Sequence, residues 1–381
     1  MTRRPNVGYA VVAFLALAAG LAATFASMSG CAPPPRPSER AAEPPPRPSP
    51  REVGDVMARV FEWQLARLEP PADPGWVQST FMIGVVAAYQ ATGDERYLDA
   101  ALTWAAGNGW SLRSPTDRAD NDGAAQVYLD LSRILGDPDV IGPTREALGA
   151  LADRSIEGRD LWSWSDALFM TPPALARLAA AIGDAGYLDA MDAWWWDATE
   201  SLYDRDAHLY YRDPDARSQA DEGAVRSAWG NRLFWSRGNG WVLAGIARLL
   251  PFVPDDYPTR GDYVSLFREM AATLASHQGE DGLWTASTLD PRDSLPPETS
   301  ASALFCYALA WGVNEGILSP EMYREVVLKA WSGLVSRVGE DGKLGWVQPP
   351  GRRPALSFAD GTAPYGAGAF LLAGSEMLRL K

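Results

Sequence analysis

The sequence predicts an all-α fold, an (α/α)6 toroid in which six inner helices are ringed by six outer ones. Three observations predict it. From Arg51 to the C-terminus apolar residues recur at helical spacing, with almost no strand-like alternation. The segment TGDERYLDAALTW (92–104) returns as IGDAGYLDAMDAW (182–194), with LGDPD between them at 135–139, so a two-helix unit repeats about every 45 residues. Finally, the helices alternate in character between apolar on most faces and charged on one side.

The predicted helices run 51–69, 77–91, 95–106, 121–135, 143–153, 166–182, 186–203, 239–251, 260–277, 299–316, 320–338 and 364–379. Those at 77–91, 121–135, 166–182, 239–251, 299–316 and 364–379 are rich in Ala, Gly and bulky apolar residues, the composition of helices buried on all sides. Their partners, such as 260–277 and 320–338, carry more charge and belong outside. Each Gly-Asp element follows one helix and precedes the next, where Gly stops a helix and Asp caps its successor. GEDGLW at 279 and GEDGKLGW at 339 echo the same device. An open solenoid is the structural rival.

The N-terminus has a different grammar. Arg3 and Arg4 precede an apolar run from Val7 to Phe25, then small residues and Met28-Ser29-Gly30-Cys31. That is the order of an export signal, and its end resembles a bacterial lipoprotein box with Cys31 as the lipidation site. An uncleaved membrane anchor is the alternative, since such a run could span a bilayer. Residues 32–50 hold nine prolines among nineteen positions and read as a stiff, unpacked tether. The expected organisation is therefore a signal at 1–31, a tether at 32–50 and a catalytic toroid at 51–381. The expected location is a bacterial membrane surface, the outer membrane's periplasmic or external face, reached through the lipid alone.

Charge narrows the partners. Removing the signal takes away two of the 34 basic residues and no acid, leaving 32 against 48 and a net charge of −16. Such a surface repels nucleic acid. Sixteen tryptophans are many for 381 residues, and indole faces suit sugar rings as well as cores. Cys306, inside SALFCYALAW, reads as a small buried hydrophobe.

The chemically rich residues gather just ahead of the inner helices: GWVQS (75–79), RADNDG (118–123), SWSDALF (163–169), WSRGNGW (235–241), PETSA (297–301) and APYGAG (363–368). In a toroid the inner helices run parallel, so these segments share one rim, where helix N-termini favour an anion. Asp120 and Asp166 stand 46 residues apart at equivalent places, a candidate acid–base pair if their surroundings push their pKa values apart. Trp162 and Trp164 could supply the apolar wall. Each Asp could equally be a plain helix N-cap. DNDG at 120–123 lacks the twelfth-position glutamate of a calcium loop, Leu129 standing there instead, so no metal site is expected.

Arg237 is the candidate reader of a substrate carboxylate through its planar fork of donors, with a structural ion pair as the alternative. Trp235 and Trp241 would stack on or wall a ring, and Gly238 and Gly240 would let backbone approach a ligand. Arg212, in HLYYRDPD (208–215), belongs to a long insertion that either builds the pocket or is a solvated loop.

Taken together, WSWSDALFM, WSRGNGW, PETSASALFCYALAWGVNEG (297–316) and YGAGAFLLAGSE (365–376) make the chain resemble the unsaturated rhamnogalacturonyl and glucuronyl hydrolases, glycoside hydrolase families 105 and 88. The resemblance covers residues from about 51 to the end. It implies an (α/α)6 barrel that removes a 4,5-unsaturated uronic acid from the non-reducing end of lyase products. It also implies Asp166 as general acid and base, Asp120 as the second aspartate, and Arg237, Trp235 and Trp241 as substrate contacts, with no metal or cofactor; Trp164, beside Asp166, is a further candidate contact from its position alone. Better-known members carry a histidine where this chain has Arg212. The rival functions are an ordinary inverting glycosidase or a lyase on the same toroid, and a lipoprotein that binds oligosaccharides without cleaving them.

Overall fold

A computed structural model describes residues 45–381, apart from 69–71, 116–117, 155–161 and 224. Cys31, the signal and the tether up to residue 44 lie outside the described residues. Residues Pro44–Lys381 form one unit by themselves.

Fourteen α-helices occur among the described residues: α1 Pro50–Leu65, α2 Trp76–Thr92, α3 Glu95–Gly107, α4 Gly123–Leu135, α5 Gly142–Ala152, α6 Ala167–Met170, α7 Pro172–Ile182, α8 Gly186–Leu202, α9 Pro214–Asp221, α10 Ser236–Leu249, α11 Arg260–Ser276, α12 Thr299–Asn314, α13 Pro320–Val335 and α14 Pro364–Arg379. Eleven of the twelve expected helices are present as single elements, and the one expected at 166–182 is divided in two. Helix α1 starts within the expected tether: Ser49 and Glu52 form a capping box around Pro50.

The Gly-Asp repeat has a geometric cause. Gly93, Gly136 and Gly183 close α2, α4 and α7 with φ of 70°, 66° and 72°, a left-handed conformation that Gly adopts without a Cβ penalty. The following Asp then folds the chain back: Asp94 accepts from the Arg96 N–H at 3.0 Å and Asp184 from the Gly186 N–H at 2.9 Å.

Two departures from the periodic reading matter. The expected helix 166–182 is broken into α6 and α7, because Pro172 and Pro173 follow directly after Thr171 and supply no N–H. At the break the Thr171 hydroxyl donates to Asp122 Oδ2 at 2.9 Å. The insertion at 203–235 is also structured. It holds a two-stranded hairpin, β1 Tyr203–Asp204 and β2 Leu209–Tyr210, and then α9.

The inner helices close a ring: α2 packs on α4, α4 on α7, α6 and α7 on α10, α10 on α12, α12 on α14, and α14 back on α2. The outer helices α1, α3, α5, α8, α11 and α13 complete the toroid. At the seam, α2 and α14 meet backbone to backbone. A Cβ on Gly84 would collide with the Gly368 carbonyl, and one on Gly368 with that of Thr80. Cys306 lies fully buried in α12. Where the inner helices begin, Trp76 of α2 stacks on Tyr365 of α14 at 4.8 Å and meets Trp241 of α10 edge-on at 6.4 Å. The lead-in segments therefore do converge on one rim.

Candidate active site

Asp166 sits at the start of α6, where the chain arrives from the tryptophan-rich 162–165 segment. The Ser165 N–H donates to the Arg212 carbonyl at 2.8 Å, and this bond brings the insertion against the aspartate. Arg212 then points Nε toward Asp166 Oδ2 at 3.6 Å while its Nη1 donates to Asp213 Oδ2 at 3.0 Å. Both Arg212 and Asp166 are mostly shielded from water, with side chains 16% and 15% exposed.

Asp120 arrives on a single 3-10 turn, Ala119–Asn121, just ahead of α4. Asn121 Nδ2 donates to the Pro115 carbonyl at 2.7 Å and fixes that turn. The two aspartates sense each other. Burial pushes the Asp166 carboxyl above the usual carboxylate range; Arg212 and Arg237 pull it back, and the nearby Asp120 charge adds to the rise. Burial likewise raises Asp120, opposed by Arg212, the Trp164 indole, Arg118 and Arg352. Arg212 is thus the cation common to both carboxyls.

The insertion is stapled to the toroid by one amide side chain of α10. Asn239 lies inside α10, where its Oδ1 accepts from the Tyr210 N–H at 2.7 Å. Its Nδ2 donates to the Tyr210 carbonyl at 3.0 Å. This pairing seats Arg212, two residues further on.

WSRGNGW proves to be helix, not loop: α10 begins at Ser236 with Trp235 as its cap. Trp235 and Trp241 are 2% and 1% exposed, so both indoles form the packed floor under the rim instead of free faces. Trp241 packs on Phe169 at 4.8 Å, and the Trp235 indole N–H donates to Gln348 Oε1 at 3.0 Å. The Arg237 fork is directed at main chain, with Nη1 donating to the Gln348 carbonyl at 2.6 Å and Nη2 to that of Pro349 at 3.0 Å. Its guanidinium is sandwiched between Trp235 and Tyr365, 4.7 and 5.0 Å from the ring centroids. The glycines serve helix packing: a Cβ on Gly238 would press on Ser165 and one on Gly240 on Leu304.

Trp164 is half-buried beside Asp120, whereas Trp162 turns outward to meet Trp194 of α8 edge-on at 5.3 Å. Sequence reasoning missed Gln348. Its Oε1 accepts from Trp235, its carbonyl from Arg237 and Tyr365, and its N–H donates to the buried Glu298 cap of α12 at 3.0 Å. Nothing in the local pattern VQPP marks that role, because every partner is distant in sequence.

The profile of glycosyl hydrolase family 88 matches residues 49–381. The chain belongs to that family. Within family 88 and its neighbours it is similar, at 36% identity over 87% of this chain and 91% of the relative, to the unsaturated 3S-rhamnoglycuronyl hydrolase of Formosa agariphila. It is 33% identical to the enzyme of the same name from an Alteromonas species, over 80% and 77% of the two chains. Among solved structures, a family 88 glycosyl hydrolase from Bacteroides vulgatus superposes with a TM-score of 0.80 at 29% identity, covering 87% of this chain and 99% of that one. This family 88 chain is accordingly a glycoside hydrolase, and its six-hairpin toroid is the family fold.

Proposed function

We propose that this hydrolase removes a 4,5-unsaturated uronic acid from the non-reducing end of oligosaccharides left by polysaccharide lyases, by hydrating the C4=C5 bond. The observation that carries the reading is the Asp166 carboxyl, sheltered at the rim with a raised pKa beside Asp120 and Arg212. A carboxyl whose pKa is raised can deliver a proton to C4, and positive charge then develops over C5 and the ring oxygen. Water adds at C5, losing its proton to a carboxylate, the role we assign to Asp120. The resulting hemiketal opens at the C5–ring-oxygen bond to a C5 ketone, leaving at C1 a hemiacetal whose collapse to the aldehyde releases the neighbouring sugar. Arg212 would hold the uronate carboxylate, Arg237 would add positive potential from the floor, and Trp164 would flank the ring. The two relatives above 30% identity make rhamnose the first neighbouring sugar to test.

The test follows the ultraviolet absorbance of the conjugated double bond in lyase-generated disaccharides. Absorbance that stays flat across several such substrates sinks the reading. Cleavage of the saturated counterpart as well would instead favour an ordinary glycosidase.

We also propose the lipid anchor at Cys31. It rests on the sequence MSGC alone, and Cys31→Ser should move the protein from the membrane to the soluble fraction.

A further inference from the structure

The toroid has a second mouth, at the end away from Asp166, where the inner helices finish. A cavity of about 580 Å³ opens there, a volume that suits a small ligand. All six inner helices line it, through Ala87 of α2, Asp130 of α4, Arg177 of α7, Arg248 of α10, Tyr307 of α12 and Glu376 of α14. Helix C-termini explain part of its charge. Arg133, Arg248 and Arg379 stand in last turns, where a cation offsets the dipole. That role calls for neither burial nor idle donors, and the cavity has both.

Arg177, Arg248, Tyr307 and Trp311, all on the cavity wall, are only 5% to 7% exposed. Arg177 commits Nε to Asp130 Oδ1 and Nη1 to the Pro173 and Arg248 carbonyls, each at 3.0 Å. Arg248 reaches Gln126 Oε1 at 2.6 Å and the same Asp130, at Oδ2, at 3.4 Å. Among the described residues, nothing on the protein accepts from Arg177 Nη2, the Tyr307 hydroxyl or the Trp311 indole N–H. One carboxylate thus serves two shielded guanidiniums, leaving a surplus of positive charge that burial makes costly. The other carboxylates on the wall are engaged: Glu376 accepts from Asn314 at 2.7 Å and from Arg379, and Glu315 also accepts from Arg379. Donors without acceptors, beside a surplus cation, match a ligand whose acceptors carry negative charge. We propose that the second mouth is a binding site, separate from the catalytic rim, for a monosaccharide-sized ligand bearing a carboxylate or a sulfate ester. Arg177, Arg248, Tyr307 and Trp311 hold the oxyanion, and Leu250, Phe252 and Leu372 wall the rest of the ligand.

Calorimetric titration of the wild-type protein tests this with three probes: glucuronate, glucose 6-sulfate and neutral methyl glucoside. At least one of the two acids should bind saturably, with a Kd of about 1 mM or tighter. The neutral sugar should bind at least about tenfold more weakly, because it brings no charged acceptor. The tighter acid identifies the oxyanion as carboxylate or sulfate ester. Tyr307→Phe removes one hydroxyl, keeps the ring, and should weaken that acid about tenfold. The binding should survive Arg212→Gln, which removes the rim's own grip on a carboxylate. No saturable binding of either acid, or equal binding of the neutral sugar, overturns the site. Binding that disappears in Arg212→Gln yet is untouched in Tyr307→Phe overturns it as well, since the anion then sits at the rim.

Discussion

Arg212 Nε stands 3.6 Å from Asp166 Oδ2, close enough to hold charge near the carboxyl yet short of a tight ion pair. This spacing leaves Asp166 protonatable. Asp166→Asn should therefore lower kcat by about 10²- to 10⁴-fold, the range for loss of a positioned general acid or base. KM should change little, because the side chain keeps its size. Loss of double-bond absorbance under saturating substrate measures this, and a variant retaining most of its kcat would remove Asp166 from the mechanism.

The pH profile should carry the signature of the same pair. If protonated Asp166 is required, activity declines as pH rises through its elevated pKa. Arg212 lowers that pKa, so Arg212→Gln should move the alkaline limb to higher pH even as binding weakens. A limb that moves to lower pH would contradict this assignment.

Stability should respond in the opposite sense from an ordinary ion pair. A carboxyl raised in the folded state binds its proton more tightly there than in the unfolded chain. Folding stability therefore falls as pH rises from about 3.9, the ordinary Asp value, through the raised one. Asp166→Asn abolishes the titration. Its melting temperature should match the wild type near pH 3 and exceed it at pH 7, as thermal scans across pH would record.

Arg237 should behave as a clamp for the loop at 348–349. Replacing it by Met removes two charge-assisted bonds to main-chain carbonyls and should cost about 2–4 kcal/mol of stability. The same change removes a cation that holds Asp166 down, so the alkaline limb should also rise. Arg237→Lys should leave the limb in place but still lower the melting temperature, since one ammonium cannot reproduce the fork. Denaturant unfolding and pH–rate profiles of the two variants separate the roles.

The toroid's closing seam gives a test remote from chemistry. Gly84→Ala places a methyl against the Gly368 backbone and should destabilise by about 1–3 kcal/mol or more through forced separation of α2 from α14. Gly54→Ala, with open space around its position in α1, should be neutral or stabilising. Equal melting temperatures for the two variants would contradict the close approach.

Much of this was written in local sequence. Helical periodicity and the Gly-Asp repeat determined twelve helices and their pairing, because a buried face and a left-handed stop are properties of a few adjacent residues. The gathering of Asp120, Asp166 and the α10 lead-in on one rim followed from the same repeat. Tertiary structure alone decided what those residues touch. Periodicity ran one helix through 166–182, whereas Pro172 and Pro173 divide it and Thr171, at the break, donates to Asp122. Arg237 looked like a free fork in sequence, but the Gln348 and Pro349 carbonyls, more than a hundred residues away, occupy it. Arg212 looked like a loop cation, and Asn239 together with Ser165 seats it beside Asp166. The physical reason is common to all three. Backbone conformation is set mainly by near neighbours, whereas burial, pKa and the partners of a charged group depend on contacts between segments far apart in the chain.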